Sequence, residues 1–498
     1  MKLSKSTRRD ILKTFASGTV IGALGSLYRR SASAASEESA AGLSGPGIDG
    51  AVIRRGDPDY ESWRRQMVFH RSKPDRYPDM IVQARTVEDV QAAVRYAADN
   101  NLKVTTRSGG HNATGASLRD GGMCIDVSPL NDVQIDDDRQ IALTQPGVKS
   151  IQLTAQAGAR GFSFPVPHCP TVGIGGFVIG GGIGLNYPSR GGFAALSIEG
   201  AEIVTADGEL VMASRDENPD LFWAVRGAGP GFFGVVARYH LKVYPTAQGI
   251  LTSTYILPLE EVQTMATELA KLDESRDNRV EVLAVLMHSP EAPPDAPPEQ
   301  SKVCFVTAFA FGDTVAESRD MLKPYARSTL PQKSVMMIEY QKFDFPALYE
   351  FFTPDKPGGA HGRYAVDSVL TNDIGEIFVG MAEHFRSTPS PINHVLGGYG
   401  MNLQPRDDSC LSWDARQYLG TFIIWQDPAE DERNFDWLDG AIPVMERHQA
   451  GRYINEVEAR RHPAHIRECF TDANWQKLAD VRRQYDPDGV FHTYLGYR

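Results

Sequence analysis

Two short stretches of this chain hold side chains that can act as nucleophiles. The first is Arg107-Ser108-Gly109-Gly110-His111-Asn112, which ends a strand-like run at Val104-Thr105-Thr106. Paired glycines permit a sharp turn and close approach of the backbone to a ligand. The imidazole of His111 beside them can serve as a nucleophile or base. The second is Cys169-Pro170-Thr171-Val172, followed by residues 173–184, of which seven are glycine (Gly173, Gly175, Gly176, Gly180, Gly181, Gly182 and Gly184). At ~1 kcal/mol per glycine relative to alanine, that density predicts a loop, not a helix. Backbone N–H groups in such a loop can wrap a pyrophosphate. A dinucleotide-binding G-x-G-x-x-G would close a strand and open a helix, whereas here a proline precedes and further glycines follow. Residue types alone leave three readings of these stretches: a cradle for a phosphate-bearing ligand, a hydrolase with Cys169 as nucleophile and His111 as base, and an inert buried cysteine beside a loop histidine.

The elements that must position these stretches follow from hydrophobic spacing. Thr86 and Asp89 form a capping-box pattern ahead of Val87, Val90, Val94 and Ala97, which recur at helical spacing. Strands are expected at 123–127 and 140–144, a helix at 149–159, and a hairpin at 198–213 turning through Ala206-Asp207-Gly208. Beyond Pro245 the texture changes. Strand-like runs at 251–257, 280–287, 302–311, 395–402 and 418–425 alternate with amphipathic helices at 260–272, 314–323 and 434–448. The pattern is α+β in two domains, the second an antiparallel sheet with helices on one face. The expected boundaries are 57–247 for the first domain, 248–452 for the second, and 453–498 for a segment returning to the first.

The N-terminus reads as an address and not as fold. Thr7-Arg8-Arg9-Asp10-Ile11-Leu12-Lys13 matches the twin-arginine export pattern, a weakly apolar run follows from Phe15 to Leu27, and Ala32-Ser33-Ala34 offers a small-residue cleavage site. Residues 1–34 are therefore expected to be removed and 35–56 to form a flexible leader. Thirteen residues do not span ~30 Å of hydrocarbon with margin, so no stable membrane anchor is expected after cleavage. The product would lie in the periplasm or outside the cell. Residues 1–34 carry seven Lys or Arg against Asp10 alone, so the remainder has a net charge of −18 in place of −12. A surface of that sign repels phosphate backbones and argues against nucleic acid as a partner. The five cysteines are odd in number, widely spaced and free of C-x-x-C, which suggests neither a disulfide framework nor a metal site.

Taken together, Gly-Gly-His and, 58 residues later, Cys-Pro-Thr-Val-Gly-Ile-Gly-Gly with its trailing glycines resemble the berberine bridge enzyme-like oxidases, which share the vanillyl-alcohol oxidase (PCMH) type of FAD-binding fold. Further matches are Ser189-Arg190-Gly191-Gly192, Glu202-Ile203-Val204-Thr205, Leu221-Phe222-Trp223, Tyr453-Ile454-Asn455 and Asp486–Phe491. The resemblance implies a PCMH-type FAD-binding domain, a substrate domain, and FAD bound bicovalently. His111 would bond the flavin 8α-methyl carbon and Cys169 the ring C6. Arg107–Asn112, Val172, the glycines from Gly173 to Gly184, Ile203, Val204 and Phe491 would contact the cofactor. Tyr453 is the expected base for hydride removal from a small-molecule alcohol, sugar or related C–H donor, with Asn402 and Gln404 as further polar groups at the site. Dioxygen is the expected acceptor, giving hydrogen peroxide; a quinone or cytochrome acceptor is the alternative. Three positions depart from the family pattern: Phe177 where histidine is frequent, Ile183 where tyrosine is frequent, and Glu456 in place of a second tyrosine.

Overall fold

The computed structural model describes residues 47–289, 292–293, 296–352 and 362–497. The twin-arginine segment, its cleavage site and most of the 35–56 leader lie outside the described residues, but the end of that leader is not flexible: Ala51–Arg54 is a strand paired with Met80–Gln83, with Val52 and Ile53 buried. No helix among the described residues is long and apolar enough to cross a membrane.

Helix Val87–Asp99 begins as its sequence requires. Thr86 accepts from the Asp89 amide while the Asp89 carboxylate accepts from the Thr86 amide, closing the capping box. The helix packs on a four-stranded sheet ordered Ala51–Arg54, Met80–Gln83, Met123–Asp126, Val104–Arg107, the last three mutually parallel. A second sheet is antiparallel throughout: Val133–Asp136, Ile141–Thr144, Val235–Lys242, Ile198–Val204, Leu210–Ala213. The two sheets share one apolar core, which also takes Leu478, Val481 and Phe491 from the end of the chain. Phe491 bridges Val104 in parallel, with Val104 N–H donating to Val490 and His492 N–H to Val104. The C-terminal segment thus extends the first sheet at the edge from which the Arg107–Asn112 turn departs.

The remaining large element is an eight-stranded antiparallel sheet: Met336–Lys342, Gly249–Pro258, Lys302–Gly312, Val280–His288, His394–Leu403, Ala415–Trp425, Arg363–Thr371, Gln449–Gly451. Helices Val262–Glu274, Val315–Arg327, Ile374–Arg386 and Asp431–Glu446 cover one face through Met265, Leu322, Phe378 and Met445. The α+β class and the helix-backed antiparallel sheet are as expected. The two-residue strand period sorts the other face cleanly. Tyr255, Val282, Val306, Val395 and Leu419 point to the helices, while Thr254, Ile256, Leu283, Phe305, Leu396 and Tyr418 point into a cavity.

Another expectation is corrected. The glycine stretch is not all loop, because Ile174–Ile179 is helical. Tertiary packing outweighs propensity: a Cβ on Gly175 would sit 2.8 Å from Pro146, so glycine is what lets this helix seat against that loop.

Candidate active site

A cavity of about 1990 Å³ lies between the first two sheets and the open face of the eight-stranded sheet. It exceeds the ~300–1,000 Å³ of ordinary small-ligand sites and has room for a dinucleotide with a substrate beside it. His111 and Cys169 both line it. The Thr171 hydroxyl lies 3.1 Å from His111 Nε2 and 3.3 Å from Cys169 Sγ, so one side chain holds both. Phe69 stacks on the His111 ring at 4.4 Å and 14°. Burial, then the charges of Arg107 and Lys149, lower the His111 pKa to about 4, against a weaker opposing hydrogen bond to the Thr171 backbone. The imidazole is therefore neutral at neutral pH, the form that keeps the lone pair a nucleophile requires. Of the five cysteines only Cys169 is not buried. Burial pushes Cys124 and Cys304 up to about 12, leaving both as inert thiols.

Close contact of backbones locks the two stretches together. A Cβ on Gly109 would stand 2.4 Å from the Gly173 nitrogen, and one on Gly173 would stand 2.5 Å from Ser108 Oγ. Ser108 itself donates to the Pro146 carbonyl at 2.6 Å, and Arg107 pairs with buried Asp126 at 3.0 Å. Among the described residues, the amides of Ser108, Gly109, Gly110, His111 and Asn112 donate to no protein acceptor. Five consecutive free N–H groups at a cavity wall form an anion cradle.

At another part of the wall the Tyr453 oxygen accepts three N–H groups: Gly182 at 3.1 Å, Ile183 at 3.3 Å and the Asn455 side chain at 3.0 Å. Burial and the nearby Glu456 carboxyl nevertheless hold its pKa above the usual tyrosine value, outweighing those three bonds. Tyr453 is thus a neutral phenol whose own proton is free to be donated. Glu456 faces the same cavity and accepts a short hydrogen bond from Tyr418. Burial raises its pKa to about 7, opposed by that bond and by His168.

The comparisons with known proteins agree with this geometry. Residues 78–214 match the FAD binding domain family. The chain is 36% identical to (R)-6-hydroxynicotine oxidase of Paenarthrobacter nicotinovorans, over 84% of this chain and 90% of that protein. It is 30% identical to an FAD-linked oxidoreductase of Penicillium crustosum, over 88% and 94%. The chain belongs to the FAD-linked oxidoreductases. The crystal structure of 6-hydroxy-D-nicotine oxidase from Arthrobacter nicotinovorans superposes with a TM-score of 0.77 at 23% identity, covering 91% of this chain and 98% of that one. The resemblance to the berberine bridge enzyme-like oxidases holds.

In this FAD-linked oxidoreductase the residues present fit the cofactor. The free amides of 108–112 offer what a pyrophosphate needs, and Gly176 has open space where a Cβ would stand. Arg107, Ser108, Gly109, Gly110, His111, Asn112, Cys169, Val172, Gly173, Gly175, Gly176, Tyr453 and Phe491 all line the cavity. The structure does not bring the rest of the expected set to it. Gly180, Gly181, Gly182 and Gly184 lie behind the wall. The amides of Gly180 and Gly181 bond Val178, and that of Gly182 is committed to Tyr453, so none of these three is free for a phosphate. Ile203 and Val204 are fully buried in the five-stranded sheet. Asn402 and Gln404 are solvent-exposed. A register shift between Tyr399 and Leu403, with positive φ at Gly400 and Asn402, breaks the alternation that would have aimed them inward. Conversely, Phe69, Thr171, Tyr364 and Tyr418 belong to the site without having been expected there. Only Thr171, inside the cysteine motif, had a local signal; the others come singly from distant segments. All three departures, Phe177, Ile183 and Glu456, face the cavity.

Proposed function

We propose that this FAD-linked oxidoreductase is an exported oxidase with its flavin bound twice, through His111 and Cys169. The observation that carries the reading is the Thr171 hydroxyl holding a neutral imidazole and the one unburied thiol at the same cavity wall. Bound there, FAD supplies the two-electron acceptor for a C–H donor. The amides of 108–112 bind its diphosphate, while Phe69 fixes the plane of the His111 ring. Tyr453, a neutral phenol, donates a hydrogen bond into the cavity and does not abstract a proton. The largely apolar walls favour a substrate with an apolar body, in keeping with the nicotine-type amine in the names of two similar proteins. Dioxygen is the acceptor in this reading, and the twin-arginine segment exports the chain after folding.

The test is the colour and intact mass of the purified protein after acid precipitation. A yellow pellet one FAD heavier than the polypeptide is expected. His111→Ala and Cys169→Ala should each retain colour in the pellet, and the double variant should release it all. A yellow supernatant from the unaltered protein would discard both bonds. Oxygen uptake during turnover tests the acceptor, since transfer to a quinone or cytochrome consumes none.

A further inference from the structure

Among the described residues, three carboxylic side chains line the cavity: Asp427, Glu430 and Glu456. Glu430 pairs with Arg433 at 3.0 Å, and Asp427 accepts from the Ala429 amide at 2.9 Å. Glu456 forms no ion pair among the described residues. Its side-chain partner is the phenol of Tyr418. The groups that face it are Tyr418 from strand Ala415–Trp425, Tyr364 from strand Arg363–Thr371, His168 from the loop before Cys169, and Tyr453 from its own segment. His168, the one group among them able to carry positive charge, is held 2.9 Å from buried Glu281. Tyr364 lies within electrostatic reach of both Cys169 and Glu456, which puts this carboxyl on the side of the cavity where the flavin attachment residues stand.

An ionised carboxylate out of water and without a counter-charge is unfavourable, and a cation of matching size relieves it. Tyrosine faces around it add attraction for that cation. The sheet face that carries Tyr364 and Tyr418 also presents Leu283, Val285, Val366, Leu396 and Phe422 to the cavity, which suits an apolar body. We propose that Glu456 binds and deprotonates a cationic amine carried on an apolar body. The ammonium N–H bond breaks, an O–H bond forms on the carboxylate, and no electrons change hands. The inference rests on the oxidoreductase reading of this cavity, because the neutral amine is the form whose lone pair can support loss of hydride from the adjacent carbon. Tyr418 acts as a positioning residue, holding the carboxylate and favouring its ionised form.

The experiment is calorimetric titration of the flavin-loaded protein with N-methylbenzylamine and its neutral isostere benzyl methyl ether. Each is run at pH about 6 and about 8 in buffers of different ionisation heat. The amine should bind on the order of 100-fold tighter than the ether. At the lower pH about one proton should be released per amine bound, because binding ionises a carboxyl that was protonated; at the higher pH none should be released. Glu456→Gln should abolish both the preference and the proton release at unchanged melting temperature. Tyr418→Phe should keep the preference but move the proton release to higher pH, since a donor that favoured the carboxylate is gone. Equal binding of amine and ether, a preference that survives in Glu456→Gln, or no amine binding at millimolar concentration overturns the proposal. If the same preparation stays yellow in acid, that failure leaves the flavin reading standing; a colourless preparation removes the reading on which the proposal rests.

Discussion

The cavity has two walls built in different ways. The cofactor wall comes from two continuous stretches, 107–112 and 169–177, whose backbones touch at Gly109 and Gly173. The substrate wall comes from seven strands, each offering side chains from one face, with single residues such as Tyr364 and Tyr418, and Glu456 from a separate turn, converging from far apart in sequence. Chemistry that depends on backbone N–H groups needs neighbouring residues, because amides are supplied in series. Chemistry that depends on side-chain shape can draw on any strand. The first kind leaves a motif in the sequence and the second does not.

The two walls should also fail differently when broken. The largest effect on stability is expected on the strand side, at Arg452. Its guanidinium is fully buried and reaches Asp367 at 2.7 Å, Glu446 at 2.7 Å and Glu468 at 2.6 Å, tying strand Arg363–Thr371 to the segment that carries Tyr453. Arg452→Met leaves the buried Asp367 carboxylate with only His465 and the Glu458 amide beside it, and a loss of about 3–5 kcal/mol is expected. Denaturant unfolding measures it. A change below about 1 kcal/mol would mean that the carboxylates rehydrate and the link does not hold this wall in place.

Legibility in the sequence follows the same division. The capping box at Thr86 and Asp89, the hairpin 198–213 and the His111 and Cys169 stretches are local patterns, and the structure contains the box, the hairpin and both stretches at the cavity. Strand Gly249–Pro258 is recognisable as a strand, but nine of its ten residues are buried, so its sequence does not tell which face meets the cavity. Strands Met336–Lys342 and Arg363–Thr371 were not anticipated, nor was helix Ile374–Arg386. The first is a mixed polar and apolar edge strand that relies on pairing with Gly249–Pro258. The glycine stretch misled in an instructive way. Glycine density reports close approach, and here much of that approach is to Pro146, Pro165 and Asn455 of the protein itself.

That difference can be sharpened within the stretch. A Cβ on Gly180 would lie 2.0 Å from Asn455 Oδ1, whereas Gly176 has nothing within 4 Å. Gly180→Ala should cost about 1–3 kcal/mol as Asn455 is pushed off Tyr453. Gly176→Ala should leave the flavin-free protein as stable or gain up to ~1 kcal/mol of helix propensity, and instead lower flavin incorporation. Melting curves with and without flavin separate the two. Equal losses of stability at both positions would show that Gly176 serves packing and not the cofactor.

The smallest effects are expected at Asn402 and Gln404, where the strand wall ends in a bulge. Gln404 is exposed, so Gln404→Ala should fall within about 0.5 kcal/mol of the parent and leave turnover unchanged. Asn402 has φ of 45°, in the left-handed region that asparagine tolerates better than alanine. Asn402→Ala should therefore cost about 1 kcal/mol of stability, while Asn402→Gly should recover it, both with turnover intact. The glycine variant decides the matter because it keeps the backbone and removes the amide. A bulge that matters only for geometry is satisfied by glycine. A carboxamide that reached the substrate would be missed equally in both variants, and turnover would fall in parallel whatever the melting temperature did.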